Sequence, residues 1–239
     1  MPVLSAANII QAKTGTVGGA GLQDIDVVLD DPTTPGGTVT VQMYGPILWP
    51  GMPDGWEYDC ACIVGSPLLW MFRYPDGPGG ETSWPWHDPI GARVWAWRVT
   101  EWDTVLDPIG PYEFYAQNTD SGASVATLST GTTPTTNRGE VVALATHVTT
   151  HQVGAPGMTL NFSGHTNGFA EQDEARLSRT NQELAASFSL LFADTPATFE
   201  CTATVNTSAP AAADSYYALI SVYAAAQPEI VAGPTVMSG

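Results

Sequence analysis

The feature that most constrains the fold is an internal repeat of about 100 residues. The segment TTPGGTVTVQMYG at residues 33–45 and the segment TTNRGEVVALATH at residues 135–147 share a Thr-Thr pair, a glycine and an alternating strand, 102 residues apart (135 − 33). Two further pairs of segments continue the parallel, residues 67–77 with 185–195 and residues 92–102 with 215–225. The repeat predicts two related domains in tandem.

Hydrophobic periodicity predicts strands throughout both copies. Val39, Val41 and Met43 alternate with polar residues, which is the period-2 pattern of a half-buried strand. Only 13% of the residues are charged, and the 24 glycines and 19 prolines suit short strands and turns better than long surface helices. We therefore expect an all-β protein of two tandem β-sandwich or jelly-roll domains. Further strands are predicted at residues 57–64, 68–74, 92–100, 140–147, 159–163, 184–192, 199–205 and 216–224.

The repeat also suggests where the domains begin and end. We expect a β-sandwich at residues 23–115 and a second at residues 116–226. Residues 1–22 are predicted to be an N-terminal arm and residues 227–239 a C-terminal tail. Both are expected to be flexible in isolation, and we hypothesise that they become ordered by lying on a neighbouring subunit. The charged segment that begins at Glu171 is predicted to form a loop or short helix before the strand at 184–192.

Charge excludes several classes of partner. The formal net charge is −17, with 24 acidic residues against 7 basic ones, of which only Lys13 is a lysine. Such a chain repels phosphate backbones and anionic lipids, so we expect no nucleic-acid partner. The first 20 residues lack a basic start and an apolar run, and no apolar run is long enough to span a membrane, so we expect no signal peptide and no membrane insertion. The sequence indicates no cofactor.

Cysteines and histidines give no pattern of a metal site. Cys60 and Cys62 lie two apart in a predicted strand and face the same side, so we interpret them and Cys201 as small buried hydrophobic residues. His147 and His151 have a spacing that would suit a metal pair on a helix, but they fall at a strand end and the turn after it. We expect surface histidines there, and His165 is the one residue that would turn them into a metal site.

Acidic clusters and carboxylates are the remaining chemical candidates. Two groups offer oxygen ligands for Ca²⁺ without the spacing of an EF-hand, so solvated loops are favoured for both; they are Asp30 with Asp31, and Glu171 with Asp173 and Glu174. The sequence has no serine nucleophile elbow, zinc-protease motif or phosphate-binding loop. A glycoside hydrolase would need two paired carboxylates, which nothing in the sequence pairs. The available residues are Glu57, Asp59, Glu81, Asp88, Glu101 and Asp103.

Aromatic residues are concentrated in the first copy. Seven of the eight tryptophans lie between residues 56 and 102. Trp95 and Trp97 share strand parity with Val99 and are predicted to be buried. Trp84 and Trp86 flank a proline in a predicted loop and, with His87, are our candidates for a contact surface of the kind that carbohydrate-binding modules use to stack sugar rings.

Part of this pattern resembles a known family. The segment at residues 33–45, the step formed by Pro53, Gly55 and Trp56, the apolar aromatic strand after it and the closing strand at residues 92–102 resemble the jelly-roll minor tail proteins of tailed bacteriophages that infect actinobacteria. The second copy departs from the pattern because residues 154–158 contain no tryptophan. The resemblance implies no catalytic residues.

These observations lead to one preferred function and two alternatives. The resemblance implies a non-enzymatic virion structural protein, a minor tail protein at or near the tail tip, assembled in the host cytoplasm. Its expected partners are other virion proteins, further copies of itself in a symmetric homo-oligomer, and a host envelope glycan. A capsid decoration protein and a carbohydrate-binding module using exposed tryptophans are the alternatives.

Overall fold

The computed structural model describes residues 3–18, 24–45, 51–63, 68–87, 94–109, 115–121, 125–151, 160–179, 182–208 and 215–226. Apart from one 3₁₀ turn at Ala6–Asn8, the regular structure in these ranges consists of sixteen β-strands. The predicted all-β class is therefore confirmed. No helix in the described ranges is long and apolar enough to cross a bilayer.

The first unit contains a five-stranded sheet and a two-stranded sheet. Its strands are β1 (Ile9–Gly18), β2 (Asp24–Val28), β3 (Thr38–Gly45), β4 (Glu57–Ile63), β5 (Leu68–Tyr74), β6 (Ser83–His87) and β7 (Val94–Trp102). The large sheet has the order β1-β7-β3-β5-β4, and β2 pairs with β6 to form the small one. All neighbouring strands are antiparallel.

The second unit contains a six-stranded sheet and a three-stranded sheet. Its strands are β8 (Leu106–Pro108), β9 (Tyr115–Ser121), β10 (Thr127–Ser129), β11 (Val141–His151), β12 (Leu160–Ser163), β13 (Ala170–Arg179), β14 (Gln182–Ala193), β15 (Thr202–Thr207) and β16 (Ser215–Ala225). The large sheet has the order β13-β14-β11-β16, and β8 and β9 both pair with β16 at its far edge. The small sheet has the order β10-β15-β12.

The four sheets form four layers. The two large sheets face each other across a central core that contains Tyr44, Met71 and Trp102 from the first unit and Leu144 and Phe188 from the second. Each large sheet is covered on its other face by the small sheet of its own unit. The largest apolar core thus lies between the units, so the two units form one body.

The two large sheets have corresponding strand orders and meet as the halves of a two-fold dimer do. Aligning β3 with β11 matches the order β1-β7-β3-β5-β4 to β9-β16-β11-β14-β13. Across the central core β1 lies against β13 while its counterpart β9 lies against β4, and β7 lies against β14 while its counterpart β16 lies against β5. Exchanging the units maps each of these contacts onto another, which is the signature of an isologous interface.

The three matched pairs of segments fall on strands with corresponding places in the two sheets, but one pair is displaced. Val41 lies opposite Phe72, and its counterpart Ala143 lies opposite Leu191. By this register Leu69 corresponds to Phe188, whereas the sequence pairing matched it to Ser187. A shift of one residue moves a side chain to the other face of a sheet. The match of residues 67–77 with residues 185–195 therefore compared side chains on opposite faces of the two sheets.

Several boundaries differ from those predicted. The expected N-terminal arm is wrong for residues 9–18, because β1 pairs along β7 as an edge strand of the large sheet. The predicted boundary at residue 115 falls at the start of β9, and β8 before it already belongs to the sheet of the second unit. The segment from Glu171 is strand β13 and contains a β-bulge, instead of a loop or helix. The predicted tail, residues 227–239, lies outside the described residues.

Strand β3 is buried on both faces, whereas its alternating sequence pattern predicted one solvent-exposed face. Its apolar side chains face the small sheet, and its polar side chains face the second unit, which covers them. Gln42 donates to Thr146 Oγ1 at 2.7 Å, and Thr40 accepts the indole N–H of Trp102 at 2.9 Å. These hydrogen bonds offset the cost of removing polar groups from water.

Candidate functional site

The predicted tryptophan contact surface is buried. Strand β6 alternates exposed and buried residues, and Trp84 and Trp86 are only 4% and 0% exposed. Both rings stand edge-on to Trp56, with centroids 5.4 and 5.2 Å apart. The prediction that they lie in an exposed loop is wrong, because the alternation S-W-P-W-H is itself the period-2 signal of a strand.

The other residues singled out in that region differ in their exposure to solvent. Trp95 and Trp97 are buried in the same aromatic core, as predicted. His87 is exposed, and its Nδ1 lies 3.0 Å from Asp24 Oδ1 on the paired strand. The first unit therefore uses its aromatic side chains to join its two sheets, and of the three predicted contact residues only His87 reaches the surface.

The histidines are placed differently from the prediction. His147 and His151 are buried, 0% and 2% exposed, so the expected surface positions are wrong. His147 lies between the large and small sheets of the second unit and donates from Nε2 to the carbonyl of Cys201 at 3.2 Å. Burial, and secondarily the neighbouring ring of His165, lowers the pKa of His147 to about 3. The ring is therefore neutral throughout the physiological range.

His165, Ser187 and Glu171 form a chain that resembles a catalytic triad in composition only. Ser187 Oγ lies 2.9 Å from His165 Nε2 and donates to Glu171 Oε1 at 3.1 Å. When the serine proton goes to the glutamate, the His165 Nε2–H donates to the serine oxygen and the ring is not its base. His165 Nδ1 is 3.8 Å from Glu171 Oε2, too far for the hydrogen bond that orients a catalytic imidazole. The chain therefore lacks the oriented imidazole of a catalytic triad.

The acidic cluster lies beside this chain on strand β13. The bulge between Glu171 and Asp173 sends Glu171 and Glu174 toward the small sheet, where Glu174 accepts the N–H of Phe162 at 3.1 Å. Asp173 points the other way, toward the first unit, and accepts the hydroxyl of Thr14 at 2.5 Å. The three carboxylates thus split between two faces. Within the described ranges, no set of three or more His, Cys, Asp or Glu residues is grouped for a metal ion.

A polar surface groove of about 710 Å³ opens between β12, β13 and β15. Asn206 donates to Asn161 Oδ1 at 2.7 Å and to Ser163 Oγ at 2.9 Å. These bonds use the Asn161 oxygen and the Asn206 amide group, so the Asn161 amide group and the Asn206 oxygen keep hydrogen-bonding capacity for a ligand. The lining residues are Asn161, Phe162, Ser163, Glu171, Gln172, Asp173, Glu174 and Asn206.

The described carboxylates considered for a glycosidase have hydrogen-bond or ion-pair partners within the fold. Glu101 is buried and accepts the N–H and hydroxyl of Thr34 at 2.6 and 2.7 Å. Glu81 accepts the hydroxyl of Thr33, and Asp103 accepts the amide of Asn8. Asp88 lies outside the described residues. Of the two residues considered as Ca²⁺ ligands, Asp30 pairs with Lys13, and the backbone of Asp31 is held by Gln11.

Asp59 is the most perturbed carboxylate and bridges the two units. It receives the hydroxyl of Tyr223 at 2.8 Å and pairs with Arg73 Nε at 3.0 Å. Arg73 also contacts Glu57 and Asp107, so one guanidinium serves three carboxylates. Burial raises the pKa of Asp59 to about 6, against the lowering effect of Arg73.

The cysteines agree with the prediction. Cys60, Cys62 and Cys201 are buried and free of disulfides, and Cys60 and Cys62 both face the central core. Burial raises the pKa of Cys62 and of Cys201 to about 11. Thiols of this kind are unreactive.

Comparison with known proteins adds no identity: no family model, no curated protein and no solved structure matches the chain.

Proposed function

We propose that this chain is a non-enzymatic structural protein of a virion, a minor tail protein at or near the tail tip that assembles as a symmetric homo-oligomer. The observation that carries the proposal is the shared central core, in which the large sheets of the two units bury each other. A body of four stacked layers resists bending between its halves, as a load-bearing spacer must. Two sandwiches joined by an exposed linker would move independently by default.

The residues behind the resemblance support the same function. The segment at residues 33–45 contains β3, the central strand of its sheet. Trp56 lies in the aromatic core between the sheets of the first unit. The family pattern therefore falls on residues that build the fold. The polar side chains that suggested chemistry also have structural hydrogen bonds, as with Ser187 and Glu101.

Immunogold electron microscopy of particles from a strain that carries the gene tests this function. We expect label at the distal end of the tail. Label over the head would instead support a capsid decoration protein. Particles without label, from cells that express the protein, would refute a virion role.

The polar groove favours a second candidate, recognition of a host envelope glycan. Amide and carboxylate groups that converge on an open groove can form paired hydrogen bonds with sugar hydroxyls. This site differs from the stacking surface expected at Trp84 and Trp86, which their burial rules out.

Calorimetric titration with arabinogalactan-type glycans tests the second candidate. Saturable binding that is lost in the double variant Asn161→Ala with Asn206→Ala would support it. Ser83→Ala, an exposed residue on the small sheet of the other unit, is the matched control and should bind as the wild type does. Absence of binding by the wild type would exclude these glycans as ligands of the groove.

A further inference from the structure

The edges of the large sheets differ in how well they are protected against pairing with another strand. An edge strand presents unpaired N–H and C=O groups, and proteins block such edges with charges, bulges and short strands. Strand β13 carries a bulge and alternating charges, among them Glu174 and Arg176. Strand β4 carries Glu57 and a bulge at Asp59, and the edge beyond β16 is divided between β8 and β9.

Strand β1 is the least protected of these edges. It is ten residues long, and among the described residues it pairs only with β7. Its single charged residue, Lys13, is already paired with Asp30 of the same chain at 2.5 Å. The irregularity at Ile10 is confined to the start of the strand, so residues 11–18 continue in regular register.

Exposed apolar side chains mark the same place independently. The exposed large hydrophobic residues of the described chain are Val3 and Ile10, at 55% and 45% exposure. Ile10 lies within β1, and Val3 lies in the segment that leads into it. An unprotected strand edge and exposed apolar side chains in one region are features of an association surface.

We propose that β1 pairs antiparallel with β1 of a second copy of this chain, joining the two five-stranded sheets into one continuous sheet across a two-fold axis. Charge favours this edge for contact between identical copies. Each copy has a net charge of −17, so like copies repel over most of their surfaces. Strand β1 carries no acidic residue, and the carboxylates beside it, Asp30 and Asp173, are paired with Lys13 and Arg98, so repulsion between two copies is reduced along this strand. The proposal specifies one interface of the homo-oligomer in the proposed function and rests on it.

The sequence of β1 also selects a register. A two-fold axis perpendicular to the sheet places residues of the same face opposite each other. Centring the axis on Lys13 would oppose two ammonium groups, which is destabilising. Centring it on Thr14, whose hydroxyl donates to Asp173 of its own chain, opposes two uncharged β-branched side chains and places Lys13 opposite Gly15. We therefore expect Thr14 of each copy to face Thr14 of the other.

Disulfide trapping in the full chain tests the interface. Thr14→Cys should give a cross-linked dimer on mild oxidation, because residues opposite each other across the axis lie within disulfide distance. Ser83→Cys, an exposed strand position away from this edge, is the control and should remain uncross-linked. The three native cysteines are buried, which keeps the background low. Cross-linking of both variants to the same extent, or of neither, would overturn the proposal.

Light scattering gives a second, non-covalent readout. The wild type should have a mass of twice 25.2 kDa, and Ile10→Asp should halve it while Ser83→Asp leaves it unchanged. Wild type that is monomeric at all concentrations, or an oligomer that Ile10→Asp leaves intact with the fold preserved, would refute this interface. Particle labelling is independent of both experiments, so the interface can fail while the virion function stands.

Discussion

Stability should depend on the ionisation of Asp59 in the direction opposite to that of most buried carboxylates in ion pairs. Asp59 is ionised in the unfolded chain above an ordinary pKa of about 3.9, but burial raises its folded pKa to about 6. Ionisation is therefore harder in the folded state. The contribution of this group to stability is fully present below pH ~4 and is lost as the pH rises through the folded pKa.

The magnitude follows from the difference between the two pKa values. A difference of about 2 makes folding less favourable by ~3 kcal/mol once both states are ionised. Part of that penalty remains at pH 4, where the unfolded carboxyl is half ionised, so the change between pH 8 and pH 4 is about 2 kcal/mol. Arg73 does not cancel the penalty, because the effect of burial on the pKa exceeds that of Arg73 and the neighbouring charge of Glu57 also raises it.

Urea unfolding of the wild type and of Asp59→Asn at pH 8, 6 and 4 measures this term. Tryptophan fluorescence reports the transition. The other titrating groups cancel in the difference between the two proteins, and that difference should move in favour of the wild type by about 2 kcal/mol from pH 8 to pH 4. Asp107 is an exposed partner of the same arginine, so Asp107→Asn is the control. It should change the free energy of unfolding by less than ~0.5 kcal/mol at each of the three pH values.

A difference that stays constant over this range would refute the argument that burial dominates. A difference that moves against the wild type on acidification would mean that Arg73 lowers the pKa of Asp59 instead. Tyr223→Phe distinguishes these cases further, because removing the hydroxyl that donates to the carboxylate should steepen the dependence.

Three further predictions concern single residues. His147 is neutral in the folded state, so unfolding takes up a proton below pH ~6.5. Between pH 8 and pH 5 the wild type should therefore lose about 2 kcal/mol of its free energy of unfolding, measured by urea unfolding, and His147→Gln should not show this loss. Trp86→Ala empties the middle of the aromatic core and should cost about 3–5 kcal/mol in the same assay, whereas the exposed neighbour Pro85→Ala should cost under ~1 kcal/mol. Gly45→Ala would place a Cβ 2.1 Å from the ring of Trp95 and should lower thermal stability by about 1–3 kcal/mol; unchanged melting of either core variant would contradict the packing described above.

The central strands with a strong apolar pattern were predictable from the sequence, as was the edge strand β4, whereas the edge strands β1 and β13 were not. Strand β5 lies at residues 68–74 as predicted, and β16 at residues 215–225 differs by one residue at each end. Such strands are packed on both sides and carry a strong apolar pattern. Strands β1 and β13 were missed because an edge strand tolerates glycine and charge, so β1 resembled an arm and β13 a loop.

The candidate site was harder to predict because residue type does not reveal which layer covers a strand. Trp84 and Trp86 have the chemistry of a sugar platform, but a small sheet that consists of only β2 and β6 turns them inward. His147 looked like a surface histidine because nothing local indicated that β15 and its neighbours would cover β11. The groove was missed for a similar reason, since Asn161 and Asn206 are 45 residues apart and meet only through the pairing of β12 with β15.

The two-fold relation between the units explains why the polar face of β3 is buried, although its sequence pattern predicted a solvent-exposed face. In an isologous contact the central strands meet each other, so β3 and β11 cross near the axis and the same face of each must be buried. A fully apolar pair of faces would allow the sheets to slide, whereas Gln42 bonded to Thr146 and to the carbonyl of Ala145 holds one alignment. The alternation of Val39, Val41 and Met43 with polar residues therefore separates a face that joins sheets within a unit from a face that aligns one unit on the other. A period-2 pattern distinguishes two faces by polarity, and it assigns the polar one to solvent only when no second sheet is available to cover it.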